Sequence, residues 1–173
     1  MTAPASATTL RILGIDPGSR YTGVGLIEVR GDRVRAVHHA VIRAGGGEFP
    51  ERLGVIFNGV RDLVAAHRPH VAAVETVFMS RNAASAIKLG QARGAAVCAV
   101  IDAGLEVAEY APRAVKQALV GKGGAEKAQV QHMVRVLLGL SESLPEDASD
   151  ALAVALCHHH TRGTLQRMAA LRS

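Results

Sequence analysis

Three strand-like segments open the chain before any helical pattern begins, and this order restricts the folds that the chain can adopt. An apolar run over 10–16 ends in a Pro-Gly pair, and two further strand-like segments follow at 21–30 and 33–43. The Gly31-Asp32 pair between the last two is typical of a tight turn, so these segments form a predicted β-hairpin.

Helical patterns then alternate with single strands. Apolar residues recur at intervals of three and four over 50–68, and an Ala-rich helix is expected at 82–103. Buried strands are expected at 71–74 and 105–110, and three further helices at 112–121, 126–138 and 147–160. This order predicts an α/β fold with a five-stranded mixed sheet flanked by helices.

The length and composition of the chain favour one domain. It has 173 residues, 49% of them hydrophobic, which is enough for one substantial core. We expect a single domain over 10–163, a disordered N-terminal extension over 1–9 and a C-terminal tail over 164–173.

Two cysteines and the apolar pattern indicate a reducing compartment. Cys98 and Cys157 lie in apolar stretches without CxxC spacing, so reduced core thiols are expected rather than a disulfide or zinc site. No apolar run is long enough for a membrane span, and the opening residues lack the parts of a secretion signal. We therefore expect a cytoplasmic protein.

The charge of the chain favours a polyanionic partner. The formal net charge is +5 and the pI about 9.8. Residues 81–135 hold eight Lys or Arg and four acidic residues, a local charge of +4, whereas the rest of the chain is nearly balanced. Charge alone would also fit a DNA-binding protein without catalytic activity.

Four acidic residues are expected to meet at one end of the sheet. Asp16 and Glu75 each end a buried strand, and open α/β sheets place their sites at that edge. Asp147 and Asp150 are three residues apart in the first turns of a predicted helix and share a face. For either of these two alone, stabilisation of the helix N-terminus is the simpler interpretation.

Buried carboxylates placed together favour a bound dication, because their mutual repulsion is otherwise costly. Oxygen ligands without a His or Cys ligand pattern indicate Mg²⁺ or Mn²⁺ rather than zinc. Two such ions about 4 Å apart can activate a water and stabilise the leaving oxygen in phosphodiester hydrolysis.

Four long segments resemble the RuvC family of bacterial Holliday-junction resolvases over about residues 10–160. They are GIDPGSRYTG, VETVFMSRNAASAIKLGQARG, VKQALVGKGGAEKAQVQHMV and DASDALAVALCH. The resemblance implies an RNase H-like fold, a homodimer, Mg²⁺ (two ions per subunit, with Mn²⁺ as a substitute) and paired symmetric nicks in a four-way DNA junction. It also implies branch-migration motor proteins as partners and a bacterial, nucleoid-associated location.

The same resemblance assigns roles to individual residues. The family's catalytic, metal-binding acids correspond to Asp16, Glu75, Asp147 and Asp150, and its catalytic lysines to Lys116 and Lys127. Its base-contacting aromatic corresponds to Phe78, and further DNA contacts are expected from the basic residues Arg81, Lys88, Arg113 and Lys122. From the residues alone, a core position is the simpler interpretation of Phe78, and solvated helix positions are the simpler interpretation of the two lysines.

Two positions depart from the family pattern. Thr76 stands where a Gln is common in the family, so a preferred cleavage sequence is not carried over. Some members have His in place of the acid at position 147, which implies that Asp147 tolerates that exchange better than the other three acids.

Two features allow other interpretations. The Gly-Ile-Asp-x-Gly loop also occurs in actin-like ATPases and sugar kinases, although these need a second phosphate loop, for which 101–104 is the nearest match in sequence. The His158-His159-His160 run could be taken for a metal site, but three adjacent residues on a helix point in different directions, so a solvated helix terminus is expected.

The helix at 82–103 is the expected dimer contact. Small residues at four positions form one stripe suited to close helix packing: Ala83, Ala86, Gly90 and Gly94. Packing of Gly90 against the sheet of its own chain is the alternative.

Overall fold

The structure is a computed structural model that describes residues 8–76 and 82–170. Its strands are β1 (Thr9–Asp16), β2 (Tyr21–Arg30), β3 (Arg33–Arg43), β4 (Val71–Glu75) and β5 (Glu106–Tyr110). Its helices are α1 (Phe49–His67), α2 (Ala83–Asp102), α3 (Pro112–Val120), α4 (Lys127–Leu138) and α5 (Glu146–Ala170). The predicted α/β fold is confirmed, and most boundaries agree with the sequence patterns to within one or two residues.

The five strands form one mixed sheet in the order β3-β2-β1-β4-β5. β1 pairs antiparallel with β2, and β2 with β3, through the predicted Gly31-Asp32 turn. β1 pairs in parallel with β4, and β4 with β5. Because β1 is central and parallel to β4, the carboxyl ends of these two strands lie side by side, at Asp16 and Glu75.

Helices cover both faces of the sheet. α1 and α2 pack on one face, where Ile56, Val60 and Ala96 meet Leu13 and Ile15. α3, α4 and α5 pack on the other face, where their apolar residues form a second buried cluster with β1 and β2. Among the described residues, no helix is long and apolar enough to cross a membrane.

Three glycines allow the backbone of α5 to lie directly on the sheet. A Cβ at Gly14 would lie 1.9 Å from the Ala151 carbonyl oxygen, and a Cβ at Gly23 would lie 1.9 Å from that of Asp147. Gly25 pairs with Gly14 across β1 and β2, and a Cβ at Gly25 would lie 2.6 Å from the Leu152 side chain. A side chain at any of the three would force α5 away from the sheet.

Two expectations from the sequence differ from the structure. Cys98 is exposed on α2, so the prediction of a core thiol is wrong for this residue, whereas Cys157 is buried and free as predicted. Cys98 lies among alanines on every side of the helix, so its apolar neighbours did not indicate which face is buried. The last helix also extends ten residues beyond the expected end at 160.

Gly23→Ala is expected to lower the free energy of unfolding by about 3 kcal/mol or more, because its Cβ would collide with the backbone of α5. The matched control is Gly54→Ala in α1, whose Cβ would meet nothing within 4 Å. That change should stabilise the protein by about 0.5–1 kcal/mol, because Ala is the better helix former. Urea unfolding of both variants tests the prediction, and equal effects would show that α5 does not depend on the glycine.

Candidate active site

Two of the predicted acids lie together at the carboxyl ends of neighbouring strands. Asp16 ends β1 and Glu75 ends β4, and both are largely removed from solvent. The two carboxyl groups lie close enough for the charge of Glu75 to raise the pKa of Asp16.

Helix α5 brings the other two acids to the same place. Asp147 and Asp150 lie in its first turns, where carboxylates are favoured by the helix dipole. Gly23 is the direct cross-strand partner of Asp16, and the backbone of Asp147 rests against Gly23. The close approach of α5 to the sheet therefore places its acidic turn beside Asp16.

The electrostatics of this acid cluster oppose full ionisation. Burial raises the pKa of Asp16 to about 8, and the charges of Glu75, Asp150 and Asp147 add to the effect. Burial likewise raises the pKa values of Glu75 and Asp150, with repulsion from neighbouring acids as a further cause in both. A bound cation would reverse these shifts, since it stabilises the ionised forms.

Both predicted lysines face this cluster. A cavity of about 190 Å³ is lined by Glu75, Lys116, Lys127 and Asp150 together with apolar residues of α3, α4 and α5. The Lys127 Nζ lies 2.7 Å from Asp150 Oδ2 and also pairs with Glu146. Burial lowers the pKa of Lys127, but its hydrogen bonds to Asp150 and Glu146 outweigh this and raise the pKa above its ordinary value.

The other predicted DNA contacts stand apart from the acids or outside the described residues. Phe78 and Arg81 fall in the segment 77–81, which the structure does not describe. Lys88 lies on α2, with its Nζ 5.6 Å from the centre of the Phe49 ring. Arg113 packs against Gly123, and Lys122 is exposed in the adjacent loop. Arg113 lies in the first turn of α3, the helix that carries Lys116, and Lys122 follows the end of that helix.

The histidine run does not form a solvated helix terminus. His158 is half-buried, and its Nδ1 lies 2.9 Å from the Tyr110 hydroxyl. The Nδ1 of His160 lies 3.2 Å from the Ala118 carbonyl. The prediction of a solvated helix end is therefore wrong, because α5 continues past these residues and uses them to pack against β5 and α3.

Sequence reasoning missed several residues that shape the site. The hydroxyl of Thr22 is fully buried, donates to the Gly18 carbonyl at 3.0 Å and lies 3.3 Å from the Gly18 amide, so it holds the Pro-Gly turn that follows Asp16. Glu146, next to the predicted acids, shares Lys127 with Asp150. The alternation Gly23-x-Gly25 was the visible signal for close contact on one face of the sheet.

The donor set suits a hard dication. Every acid in the cluster offers carboxylate oxygen, and the raised pKa values indicate uncompensated negative charge. Within residues 8–76 and 82–170, no three acidic, His or Cys side chains already stand in a metal-binding arrangement. Asp150 is paired with Lys127, so its side chain would change partners when a cation binds.

Comparison with known proteins identifies the family. Residues 12–158 match the family described as crossover junction endodeoxyribonuclease RuvC. The protein of that name from Alkalilimnicola ehrlichii is 59% identical over 150 residues, which cover 87% of this chain and 91% of the relative. The structure of Thermus thermophilus RuvC in complex with a Holliday junction substrate is 39% identical, with a TM-score of 0.83, over 88% of this chain and 94% of that one.

A more distant structure agrees in fold alone. The yeast mitochondrial Holliday junction resolvase Ydc2 is 13% identical, with a TM-score of 0.68, over 95% of this chain and 85% of its own. The sheet with an acid cluster at its carboxyl edge thus defines an RNase H-like nuclease. The chain belongs to the RuvC family of crossover junction endodeoxyribonucleases. As a member of this family, it is an endodeoxyribonuclease that acts on crossover junctions.

The raised pKa of Asp16 predicts how stability depends on pH. Asp16 binds its proton more tightly in the folded chain than in the unfolded chain, so stability in the absence of a dication falls as the pH rises from about 4 to about 8. At pH 7, Asp16→Asn should therefore raise the free energy of unfolding by about 1 kcal/mol or more.

Thermal unfolding with and without Mg²⁺ measures both parts of this prediction. Mg²⁺ should raise the melting temperature of the wild type more than that of Asp16→Asn, because the cation offsets the charge that the variant lacks. If Asp16→Asn is less stable than the wild type at pH 7 without Mg²⁺, then the ionised Asp16 carboxylate does not destabilise the fold and the prediction is wrong.

Proposed function

We propose that this chain resolves four-way junctions as a homodimer by paired symmetric nicks, with Asp16, Glu75, Asp147 and Asp150 as its Mg²⁺ ligands. The observation that carries the proposal is the burial of Asp16 among three other carboxylates, which raises its pKa to about 8. Maintaining such an arrangement without a cation is unfavourable, and two-metal phosphodiester hydrolysis requires an oxygen-rich site of this kind. Mn²⁺ is expected to substitute for Mg²⁺.

Each group has a distinct part in the proposed mechanism. The bound ions would lower the pKa of a water and stabilise charge on the leaving oxygen. Asp16 and Glu75 would hold the cation from the rigid sheet, and Asp147 and Asp150 would hold it from α5. Lys127 and Lys116 line the cavity beside these acids, where they can orient a phosphate and offset the charge that develops on it.

The observed fold gives no support to an ATPase of the actin-like class. That interpretation needs a second phosphate loop, and 101–104 was the nearest candidate in the sequence. Ile101 and Asp102 instead form the last turn of α2, and Gly104 has a φ of +76° directly after it. Segment 101–104 therefore lies at the end of α2, and α2 packs on the face of the sheet opposite to α5.

One assay separates the proposed resolvase from other classes. The purified protein is incubated in Mg²⁺ with a labelled four-way junction, a duplex of the same sequence and an RNA–DNA hybrid. We expect two nicks at symmetric positions in the junction and little cleavage of the other two substrates. Equal cleavage of all three would indicate a general nuclease, and binding without cleavage in any divalent cation would indicate a non-catalytic DNA-binding protein.

Removal of one metal ligand should separate cleavage from binding. Glu75→Gln and Asp150→Asn are each expected to lower the rate of junction cleavage at least about 1,000-fold, whereas the junction affinity in Ca²⁺ stays within about threefold of the wild type. Gel shift in Ca²⁺ and single-turnover cleavage in Mg²⁺ measure the two quantities. A parallel loss of binding and cleavage would argue against a role in metal binding.

The surface of α2 supports the proposed homodimer. Ile87 and Ile101 are 63% and 60% exposed, although both are large and apolar. A Cβ at Gly90 or Gly94, which lie on the same side of the helix, would meet nothing within 4 Å in the protomer. Packing of Gly90 against its own sheet is therefore wrong, and a second copy of α2 is the occupant that we propose. Two identical active sites related by a two-fold axis would then suit two equivalent strands.

Gly90→Leu should shift the protein from dimer to monomer, since a bulky side chain would separate the two copies of α2. Sedimentation at micromolar concentration measures the change, and paired nicking should be lost before duplex affinity. The matched control is Gly163→Leu on α5, whose Cβ position is equally open in the protomer. A wild type that sediments as a monomer and still resolves junctions would overturn the dimer proposal.

Further partners and the location follow from family membership alone. Branch-migration motor proteins are expected to deliver the junction, and the bacterial nucleoid in the cytoplasm is the expected location.

A further inference from the structure

A single arginine connects α2 to the strand end that carries Glu75. Arg93 donates from its Nε to the backbone carbonyl of Glu75 at 3.3 Å. Its Nη2 forms an ion pair with Glu109 on β5. The side chain is 22% exposed, so most of its length is packed between the helix and the sheet. Arg93 thus joins three elements, α2, β4 and β5, beside one of the proposed metal ligands.

The backbone around Glu75 has few other constraints. Glu75 pairs with Tyr110 at the last position of the β4–β5 ladder, and the Thr76 amide donates to the Tyr110 carbonyl at 2.9 Å. β5 is an edge strand and ends at the same level. The Arg93 hydrogen bond therefore restrains the carboxyl end of β4 from the face opposite to the carboxylate cluster.

We propose that Arg93 is a positioning residue that sets the direction of the Glu75 carboxylate. It acts through the backbone carbonyl of Glu75 rather than through that residue's carboxylate, so its effect is on orientation rather than on charge. Glu109 holds the guanidinium in the plane from which its Nε reaches the carbonyl. The proposal rests on the proposed function, because it assumes that Glu75 binds the metal.

The place of Arg93 on α2 gives the contact a further consequence. Arg93 directly precedes Gly94 and lies three residues after Gly90, so it borders the stripe proposed as the dimer contact. A shift of α2 on dimerisation would move the donor that holds Glu75. The arginine therefore makes the geometry of the metal site depend on how α2 is packed.

The test compares four single variants of the full-length protein. Arg93→Gln removes the charge and the planar guanidinium, and Arg93→Lys keeps the charge alone. Glu109→Gln leaves Arg93 in place but weakens the ion pair that holds its guanidinium. Arg61→Gln is the control, because Arg61 is an exposed arginine on α1 that pairs only with its neighbour Asp62 among the described residues. For each variant we measure the Mg²⁺ concentration for half-maximal cleavage, the affinity for Mn²⁺ without DNA, and junction affinity in Ca²⁺.

Arg93→Gln is expected to raise the half-maximal Mg²⁺ concentration and to weaken Mn²⁺ binding by about 10-fold or more, as loss of an orienting contact behind a metal ligand does. Arg93→Lys should fall between it and the wild type, and Glu109→Gln should show a smaller shift of about two- to fivefold in the same direction. For all four variants, the junction affinity in Ca²⁺ should stay within about twofold of the wild type. The Mg²⁺ dependence and Mn²⁺ affinity of Arg61→Gln should also stay within about twofold.

Several results would overturn the proposal. One is a half-maximal Mg²⁺ concentration and an Mn²⁺ affinity of Arg93→Gln that stay within about twofold of the wild type. Another is a loss of junction affinity in Ca²⁺ as large as the loss of cleavage, because that result would indicate that Arg93 contacts DNA. If Arg93→Gln lowers the melting temperature by more than about 5 °C, the test rests on Glu109→Gln instead. Unchanged Mn²⁺ affinity in Glu109→Gln would then overturn the proposal.

Glu75→Gln serves as the reference that separates this inference from the proposed function. If Glu75→Gln leaves cleavage and Mn²⁺ binding intact, the assignment of the metal site has failed. If Glu75→Gln abolishes both and Arg93→Gln changes neither, only the role of Arg93 has failed.

Discussion

The close contact between the backbone of α5 and the sheet is the constraint on which the site depends. Gly14, Gly23 and Gly25 leave a local gap between the side chains on one face of β1 and β2, and the first turns of α5 occupy that space. Because Gly23 is paired with Asp16, the contact that stabilises the fold also places Asp147 beside the central acid. A side chain at Gly23 would push the first turn of α5 away from the sheet and would move Asp147 away from Asp16.

This arrangement stores electrostatic strain where a cation is expected to act. Four acids from three elements meet in a largely buried space, and the pKa values of Asp16, Glu75 and Asp150 are all raised as a result. Lys127 offsets part of the repulsion through its contacts with Asp150 and Glu146. Lys116 and Lys127 together cannot neutralise four carboxylates, so the rigid sheet and the packed α5 keep the acids together. Binding of a dication then costs little rearrangement of the backbone.

Most of the fold and the main residues of the site could be predicted from the sequence. The order of strands and helices along the chain followed from the change of hydrophobic period. The acids were visible because each ends a buried strand or begins a helix. The direction of helix faces was harder to predict. In α2 alanine occurs on every side, so Cys98 was wrongly placed in the core, and in α5 the apolar run continues around the whole helix. Polar residues 158–160 therefore suggested an end that does not exist.

Contacts between distant segments were beyond the reach of sequence patterns. The hydrogen bond from Arg93 to the Glu75 carbonyl joins residues 18 apart, and the pair of Tyr110 and His158 joins residues 48 apart. Neither has a local signature, because each depends on how helices are placed on the sheet. The role of the glycines in β1 and β2 likewise becomes clear only when the helix above them is known.

The central claim is that the acids of β1, β4 and α5 form one metal site. Anomalous diffraction from crystals of the protein grown with Mn²⁺ measures this most directly. The account predicts Mn²⁺ peaks bounded by the carboxylates of Asp16, Glu75 and Asp150, with Lys127 displaced from Asp150, and loss of these peaks in Asp16→Asn. Peaks elsewhere on the chain with none among these carboxylates, at Mn²⁺ concentrations that support cleavage, would contradict it.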